Sequence, residues 1–166
     1  MRPHNSLSTR AIRSSGGDAV EGSDGFSEKV ETEGIRVVKR LKWYFALWTG
    51  LILLLVVPWL TFMNHLSWSR VVWIPFSSPD VEGWDVVANA LLYVPWGYLC
   101  ARLRRDPSRL WTVVALAAGL SIATEASQVY SDSRFPSATD VTCNILGAFL
   151  GAEYARRKYP GAPFDK

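Results

Sequence analysis

Residues 42–65 read K-WYFALWTGLILLLVVPWLTFMN-H, and this stretch decides the fold. Between Lys42 and His65 lie 22 residues without a charge, roughly the length that a helix needs to cross the hydrocarbon core of a bilayer. The composition of the whole 166-residue chain, with 49% apolar and 20% charged residues, hides this run because residues 1–40 carry 13 of the 33 charged side chains. The run argues against a simple water-soluble domain. It begins too late and is too long for a cleaved signal peptide, so we expect it to remain as an anchor.

The apolar segments predict an all-α fold, namely a polytopic membrane helical bundle with four transmembrane helices and a disordered N-terminal tail. The segments lie at about residues 43–63, 86–103, 110–130 and 139–157, and Pro95 predicts a kink in the second. Residues 1–40 are rich in Ser, Gly and charge and cannot bury enough apolar surface to order, apart from a short amphipathic lead-in at 35–42. The membrane domain therefore spans 41–159, followed by a C-terminal tail at 160–166.

Lysine and arginine alternate in number between successive connections. Four precede the first segment, one lies in 64–85, four in 102–109, one in 131–138 and four at the C-terminal end. Because cytoplasmic loops of membrane proteins are enriched in Lys and Arg, twelve against two places both termini in the cytoplasm. The predicted location is the cytoplasmic membrane, with 64–85 and 131–138 outside. The apolar middle of 64–85 predicts either a segment at the outer interface or a loop packed over the helix ends.

Polar side chains inside or bordering apolar segments are costly in lipid, and most of those in this chain map to the outer half of the predicted bundle. The set comprises Asp85, Asn89, Ser121, Glu125, Gln128, Arg134, Asp140 and Asn144. Ser121, Glu125 and Gln128 share one helix face, and Arg134 is the natural counter-charge. One interpretation is a structural network with Asp85 and Asp140 as helix N-caps. The other is an outward-facing polar pocket for a lipid-linked or envelope substrate.

Small residues predict two sites of close helix packing. Gly119 belongs to a ladder with Ala115, Ala123 and Ser127, whereas Gly147 and Gly151 form a GxxxG pattern in the fourth segment. The pairs Asp85/Asn89 and Asp140/Asn144 open the second and fourth segments with the same spacing. This similarity is consistent with an internal repeat of a two-helix hairpin.

Several chemistries find no support in the sequence. Two cysteines without a CxxC pattern and two histidines give no metal-site or redox-motif spacing, and we expect neither a metal nor a cofactor. Cys100 and Cys143 are predicted to lie too far apart along the bundle for a disulfide. The basic residues form no nucleic-acid stripe. Glu153 is expected to pair with Arg156 and Arg157.

Two blocks of residues resemble the VanZ-like family of small bacterial membrane proteins, over about residues 70–154. The first is Ile74-Pro75-Phe76, then Asp85 and the run Asn89 to Leu99; the second is Ser121, Glu125, Gln128, Arg134, Asp140, Asn144, Gly147 and Gly151. The chain departs at Ser137, where many members carry a further acidic residue. The resemblance implies a multi-pass helical membrane protein. The family is named for an accessory protein of glycopeptide resistance, but the name alone does not assign resistance here.

Three functions remain open at this level. The first is a non-enzymatic protein that acts at the outer face on or with a lipid-linked or cell-envelope component, with the bilayer as its surroundings. The second is an intramembrane enzyme with Glu125 as general base on an envelope substrate. The third is a small transporter or flippase, which four segments could form only as a homo-oligomer. No catalytic residue beyond the candidate Glu125 is assigned.

Overall fold

Four α-helices make up most of the described part of the chain. The computed structural model describes residues 21–59, 68–77, 83–104, 110–131 and 135–159, with the backbone alone for 21–28 and 85. The helices are α1 (Glu21–Val56), α2 (Gly83–Leu103), α3 (Leu110–Gln128) and α4 (Ala138–Lys158), with a short 3₁₀ turn at Trp68–Arg70. No β-strand occurs in these ranges, so the all-α prediction is confirmed.

The N-terminal helix differs from its prediction at both ends. Helix α1 begins at Glu21, within the predicted disordered tail, whereas residues 1–20 lie outside the described residues. It ends at Val56, two residues before Pro58, which cannot continue a helix because its backbone nitrogen carries no hydrogen. Residues 60–63 of the predicted first segment, residues 64–67 of the following connection and the tail at 160–166 also lie outside the described residues.

The chain divides into two compact units, Met1–Arg36 and Val37–Lys166. In the first unit, the described residues are the beginning of α1, where the Thr32 hydroxyl donates to the Lys29 carbonyl within the helix. The second unit contains the remainder of α1 and all of α2, α3 and α4.

Within the second unit the helices alternate in direction. Helices α2 and α4 run parallel, since Tyr98 of α2 lies beside Tyr154 of α4 and Arg102 beside Tyr159 further along. Helix α3 runs antiparallel to α4, because Ser121 contacts Asn144 while the later Glu125 contacts the earlier Ser137. Helix α1 runs antiparallel to α2, because Trp48 contacts Leu92 while the earlier Phe45 lies beside the later Trp96.

Glycines bring α2 and α4 into the closest approach of the bundle. A Cβ atom added at Gly151 would collide with the Val94 carbonyl, and one at Gly147 with the Ala90 carbonyl. Across the same interface, a Cβ at Gly97 would collide with the Ala148 carbonyl. No side chain larger than hydrogen fits here, which is how small-xxx-small patterns let helix backbones approach.

Aromatic side chains fix α1 against α2. The Trp48 indole donates to the Leu92 carbonyl at 2.8 Å, and the Trp96 indole donates to Thr49 Oγ1 at 3.0 Å. Helix α2 continues through Pro95, whose missing N–H interrupts the helical hydrogen bonds in this turn. The Trp48 indole of α1 therefore gives the Leu92 carbonyl a partner from a neighbouring helix, in the turn where the helical hydrogen bonds are interrupted.

Two of the described helices are long and apolar enough to cross a membrane, judged by length and composition alone. They are Val86–Leu103 within α2 and Leu110–Gln128, which is all of α3. These are the second and third predicted segments. The stretch of α1 from Trp43 to Val56 is apolar but short. Helix α4 is the least apolar of the predicted segments, as its sequence indicates.

Candidate functional site

Glu125, the candidate functional carboxylate, is buried near the end of α3. Its Oε2 atom accepts a hydrogen bond from the backbone N–H of Ser137 at 2.8 Å. Ser137 is the N-cap of α4, and its own hydroxyl oxygen accepts from the Thr139 N–H at 3.1 Å. The end of α3 and the start of α4 are thus joined through one carboxylate.

The N-cap of α4 differs from the predicted one. Asp140 lies in the first turn of α4 and is half-buried, whereas Ser137 holds the capping position. Ser137 has an extended backbone and a short hydroxyl side chain, which is the usual chemistry of a cap. Asp140 instead lies where a negative charge interacts favourably with the positive end of the helix dipole.

The loop before α2 packs against the same helix start. Val72 and Ser137 form an isolated parallel bridge in which the Val72 N–H donates to the Pro136 carbonyl and the Ala138 N–H to the Val72 carbonyl. The Phe76 N–H donates to Thr139 Oγ1 at 2.8 Å. Sequence reasoning left the position of this loop open, and the structure places it over the helix ends.

A second link joins the two connecting segments at this end of the bundle. Arg70 donates to the Ser131 carbonyl at 3.3 Å, and its guanidinium lies 4.1 Å from the centre of the Phe135 ring. Arg134, the predicted counter-charge, lies outside the described residues. Arg70 is the basic residue that the described part of the structure places at this end.

A cavity of about 350 Å³ lies between the loop, the end of α3 and the start of α4, with Glu125 in its wall. Apart from Glu125, the lining is mainly aromatic and aliphatic. The lining residues are Trp68, Val71, Val72, Trp73, Ile122, Glu125, Ala126, Val129, Pro136, Ser137, Ala138, Val141 and Thr142. An apolar cleft with a few polar groups is typical of sites that bind small amphipathic molecules.

Ser121 and Asn144 meet deeper in the bundle, where the Asn144 amide donates to Ser121 Oγ at 2.9 Å and both side chains are buried. Fully buried Tyr93 is the residue that sequence reasoning missed. Its hydroxyl lies beside the side chains of Thr124 and Ser121, without a well-formed hydrogen bond to any described residue. One signal could have found it, since Tyr93 lies one helical turn after Asn89 on the same face.

The remaining predicted polar residues fall in different surroundings. Gln128 is buried and donates to the Val56 carbonyl at 3.3 Å, which gives a partner to one of the last carbonyls of α1. Asn89 is half-buried on α2, and the Asp85 side chain lies outside the description. Asp85 and Asp140 each occupy the third residue of their helix, the equivalence that a repeat predicts.

The predicted packing glycines divide into two groups. Gly147 and Gly151 face α2, as described above. Gly119 has nothing within 4 Å of an added Cβ and lies on an exposed face of α3. Among the described residues no helix packs closely against Gly119, and its role in helix packing stays a prediction.

The predicted ion pairs of Glu153 are confirmed at the other end of the bundle. Glu153 forms ion pairs with Arg156 at 2.7 Å and with Arg157 at 2.8 Å. Cys100 and Cys143 are both buried and free. Within the described ranges, no group of three His, Cys, Asp or Glu side chains could hold a metal ion.

The family model VanZ/LLP1 matches residues 35–157. The match covers most of the chain and includes all the helices of the second unit, so the chain belongs to the VanZ/LLP1 family. Family membership and the two apolar helices fit a membrane protein. No curated protein and no solved structure matches the chain.

Proposed function

We propose that this protein binds the apolar part of a lipid-linked or other amphipathic envelope component at the outer face of the bacterial cytoplasmic membrane. The binding site is the cavity beside Glu125. Four membrane crossings with cytoplasmic termini follow from the distribution of Lys and Arg. In that orientation, the cavity lies at the outer end of the bundle.

The observation that carries this proposal is a single carboxylate in the wall of an otherwise largely apolar cavity. A volume of about 350 Å³ is at the small end of the range for ligand pockets, so it accommodates part of a hydrocarbon chain rather than a whole lipid. Trp68, Trp73 and Val129 supply apolar surface for such a chain. Burying that surface of the ligand favours binding in proportion to its area.

Glu125 gives the cavity its polar selectivity. One carboxylate oxygen accepts from Ser137, and Glu125 is one of the residues that line the cavity. A ligand with a hydroxyl, amide or ammonium group near its chain would find a charge-assisted acceptor there. A pure hydrocarbon would leave that acceptor desolvated, which disfavours it.

The experiment is a lipid analysis of three purified proteins: wild type, Glu125→Gln and Glu153→Gln. Glutamine at 125 keeps an acceptor for Ser137 but removes the charge. Glu153→Gln removes an equivalent charge at the opposite end of the bundle, away from the cavity. We expect an amphipathic species to co-purify with wild type and Glu153→Gln and to be depleted at least several-fold in Glu125→Gln. Equal lipid profiles in all three proteins would contradict the proposal.

A second candidate function is catalysis, and the burial of Glu125 in a cavity wall favours it. A buried carboxyl group that lines a cleft is a candidate general base, because it can lie within hydrogen-bond reach of a bound substrate. In this version Glu125 would take a proton from the bound envelope substrate. Product formed from an envelope lipid by wild type and Glu153→Gln, but not by Glu125→Gln, would establish it. Binding without turnover would leave the first function standing.

A further inference from the structure

Three neighbouring apolar side chains in the loop before α2 project away from the bundle. Trp73 and Ile74 are each 69% exposed, and Phe76 is 57% exposed. We refer to these three residues as the outer ridge. No charged residue lies between Arg70 and Asp80 in the sequence. Contiguous exposed apolar surface of this kind marks a site of interaction with a protein, a ligand or a membrane.

The outer ridge is held in a defined conformation at both ends. Val72, immediately before it, is paired to the start of α4 through two backbone hydrogen bonds. At the other end, the Phe76 N–H is bonded to Thr139, and Phe76 adopts a φ of 59°. A bulky side chain in this left-handed region is rare, and such strain persists where the surroundings fix it. The exposure of the ridge is therefore part of the folded structure.

The backbone of the ridge is suited to a medium with little water. Pro75 has no N–H, the Phe76 N–H is bonded to Thr139, and the Ile74 carbonyl accepts from both the N–H and the hydroxyl of Ser77. Backbone N–H and C=O groups that lack a hydrogen-bond partner are costly near the hydrocarbon region. Several polar groups of the ridge are thus satisfied before it meets any partner.

Other exposed aromatic rings lie at the same end of the bundle. Trp84, at the start of α2, is 73% exposed, and Trp68 and Phe135 are also exposed. Because α2 and α4 run parallel, the start of α2 lies at the end of the bundle that carries the ridge. Trp and other aromatic residues concentrate at the two interfaces of membrane proteins, where an apolar ring meets a hydrated headgroup layer.

We propose that the outer ridge inserts into the headgroup region of the bilayer in which the helices lie, so that its partner is lipid and not another protein. This proposal does not depend on the proposed function. One consequence does rest on it. Trp73 belongs to the ridge and also lines the cavity beside Glu125. A ligand would then reach the cavity sideways from the membrane, which selects molecules dissolved in lipid over water-soluble ones.

The test places a nitroxide spin label on Ile74→Cys, in full-length protein reconstituted into vesicles of phosphatidylethanolamine and phosphatidylglycerol. Relative accessibility to oxygen and to a water-soluble nickel chelate reports depth. Leu91→Cys on an exposed face of α2 and Arg157→Cys at the exposed end of α4 provide the membrane and water references. The native cysteines are buried, and labelled wild type gives the background.

We expect the oxygen-to-nickel accessibility ratio at position 74 to lie on the Leu91 side of the midpoint between the references. A ratio on the Arg157 side would overturn the proposal. A second variant, Trp73→Phe, tests the proposal independently in case Ile74→Cys misfolds. It should lower the share of tryptophan fluorescence that brominated lipids quench. An unchanged share would also count against insertion. Neither readout uses a ligand, so failure here leaves the lipid-analysis test of the cavity unaffected.

Discussion

Glu125 and Ser137 are joined by a 2.8 Å hydrogen bond from the backbone N–H of Ser137 to Oε2 of the carboxylate. Ser137 in turn caps α4 and forms the bridge to Val72. Glu125 thus joins the end of α3 to the start of α4, and the start of α4 in turn pairs with the loop before α2. The residue that gives the cavity its polarity is also a structural support of that cavity.

Replacing Glu125 separates these two roles. Glu125→Ala leaves the Ser137 N–H without this acceptor, and we expect it to lower the free energy of unfolding by about 1–3 kcal/mol. Glu125→Gln keeps an acceptor oxygen, so its free energy of unfolding should fall by less. Thermal unfolding in one detergent measures both, with Glu153→Ala as the control because exposed ion pairs contribute little. Wild-type stability in Glu125→Ala would refute the supporting role.

Thr139 fixes the end of the outer ridge. Thr139→Val removes the acceptor of the Phe76 N–H, so amide hydrogen exchange in a peptide covering residues 71–77 should speed up by at least several-fold. Thr139→Ser keeps the hydroxyl and should exchange like wild type. Thr142→Val is the matched control, because among the described residues the Thr142 hydroxyl bonds to the Ala138 carbonyl within its own helix. Equal exchange in Thr139→Val and Thr139→Ser would show that this bond does not hold the ridge.

Gly151 allows the close approach of α2 and α4. Gly151→Ala places a methyl group against the Val94 carbonyl, and overpacking of this kind costs about 1–3 kcal/mol. Gly119→Ala meets no atom within 4 Å and should be neutral or stabilise the helix by up to about 1 kcal/mol. Unfolding temperatures of the two variants in the same detergent should therefore shift in opposite directions, or the first alone should fall. Equal shifts would argue against the described interface.

Tyr93 contributes through its ring more than through its hydroxyl. The hydroxyl is buried without a well-formed hydrogen bond to any described residue, whereas the ring packs in the core near Trp96. We expect the free energy of unfolding of Tyr93→Phe to lie within about 0.5 kcal/mol of the wild-type value, because no strong interaction is removed. Tyr93→Ala should lose about 3–5 kcal/mol, as large-to-small core changes of aromatic residues do. A large loss in Tyr93→Phe would place a bound water or polar partner at that hydroxyl.

The helices could be predicted from the sequence because long uncharged runs have few alternatives. The burial of Glu125, Gln128 and Asn144 followed from the cost of leaving polar groups in lipid. One interpretation of the sequence makes Asp140 an N-cap, although Ser137 three residues earlier completes a pattern typical of helix starts. Asp140 stands out in the sequence because it is charged, but Ser137 has the extended backbone and the short hydroxyl side chain that a cap requires.

The sequence allows a polar pocket at this end of the bundle, whereas the observed cavity is largely apolar. Its lining could not be predicted, since it depends on contacts between distant parts of the chain. The pairing of Val72 with Ser137 brings residues 68–73 beside residues 122–142. A bridge made by a single loop residue leaves no periodic pattern in the sequence. Tyr93 was overlooked for a related reason. Tyrosine is common in apolar segments, so its burial beside Ser121 becomes evident only once α2 and α3 are placed together.

The central claim is that a membrane amphiphile occupies the cavity beside Glu125, and photo-crosslinking tests it most directly. Cells that produce the protein are supplied with a fatty acid that carries a photoreactive group and a tag, and the crosslinked residues are mapped by mass spectrometry. Ala126→Trp fills the cavity from an exposed position on α3, whereas Ala123→Trp adds the same ring on α3 outside it. We predict adducts on Val129 and Val141 in wild type and Ala123→Trp, with strong depletion in Ala126→Trp. Adducts confined to outward positions such as Leu91 and Leu116, unchanged by Ala126→Trp, would contradict the claim.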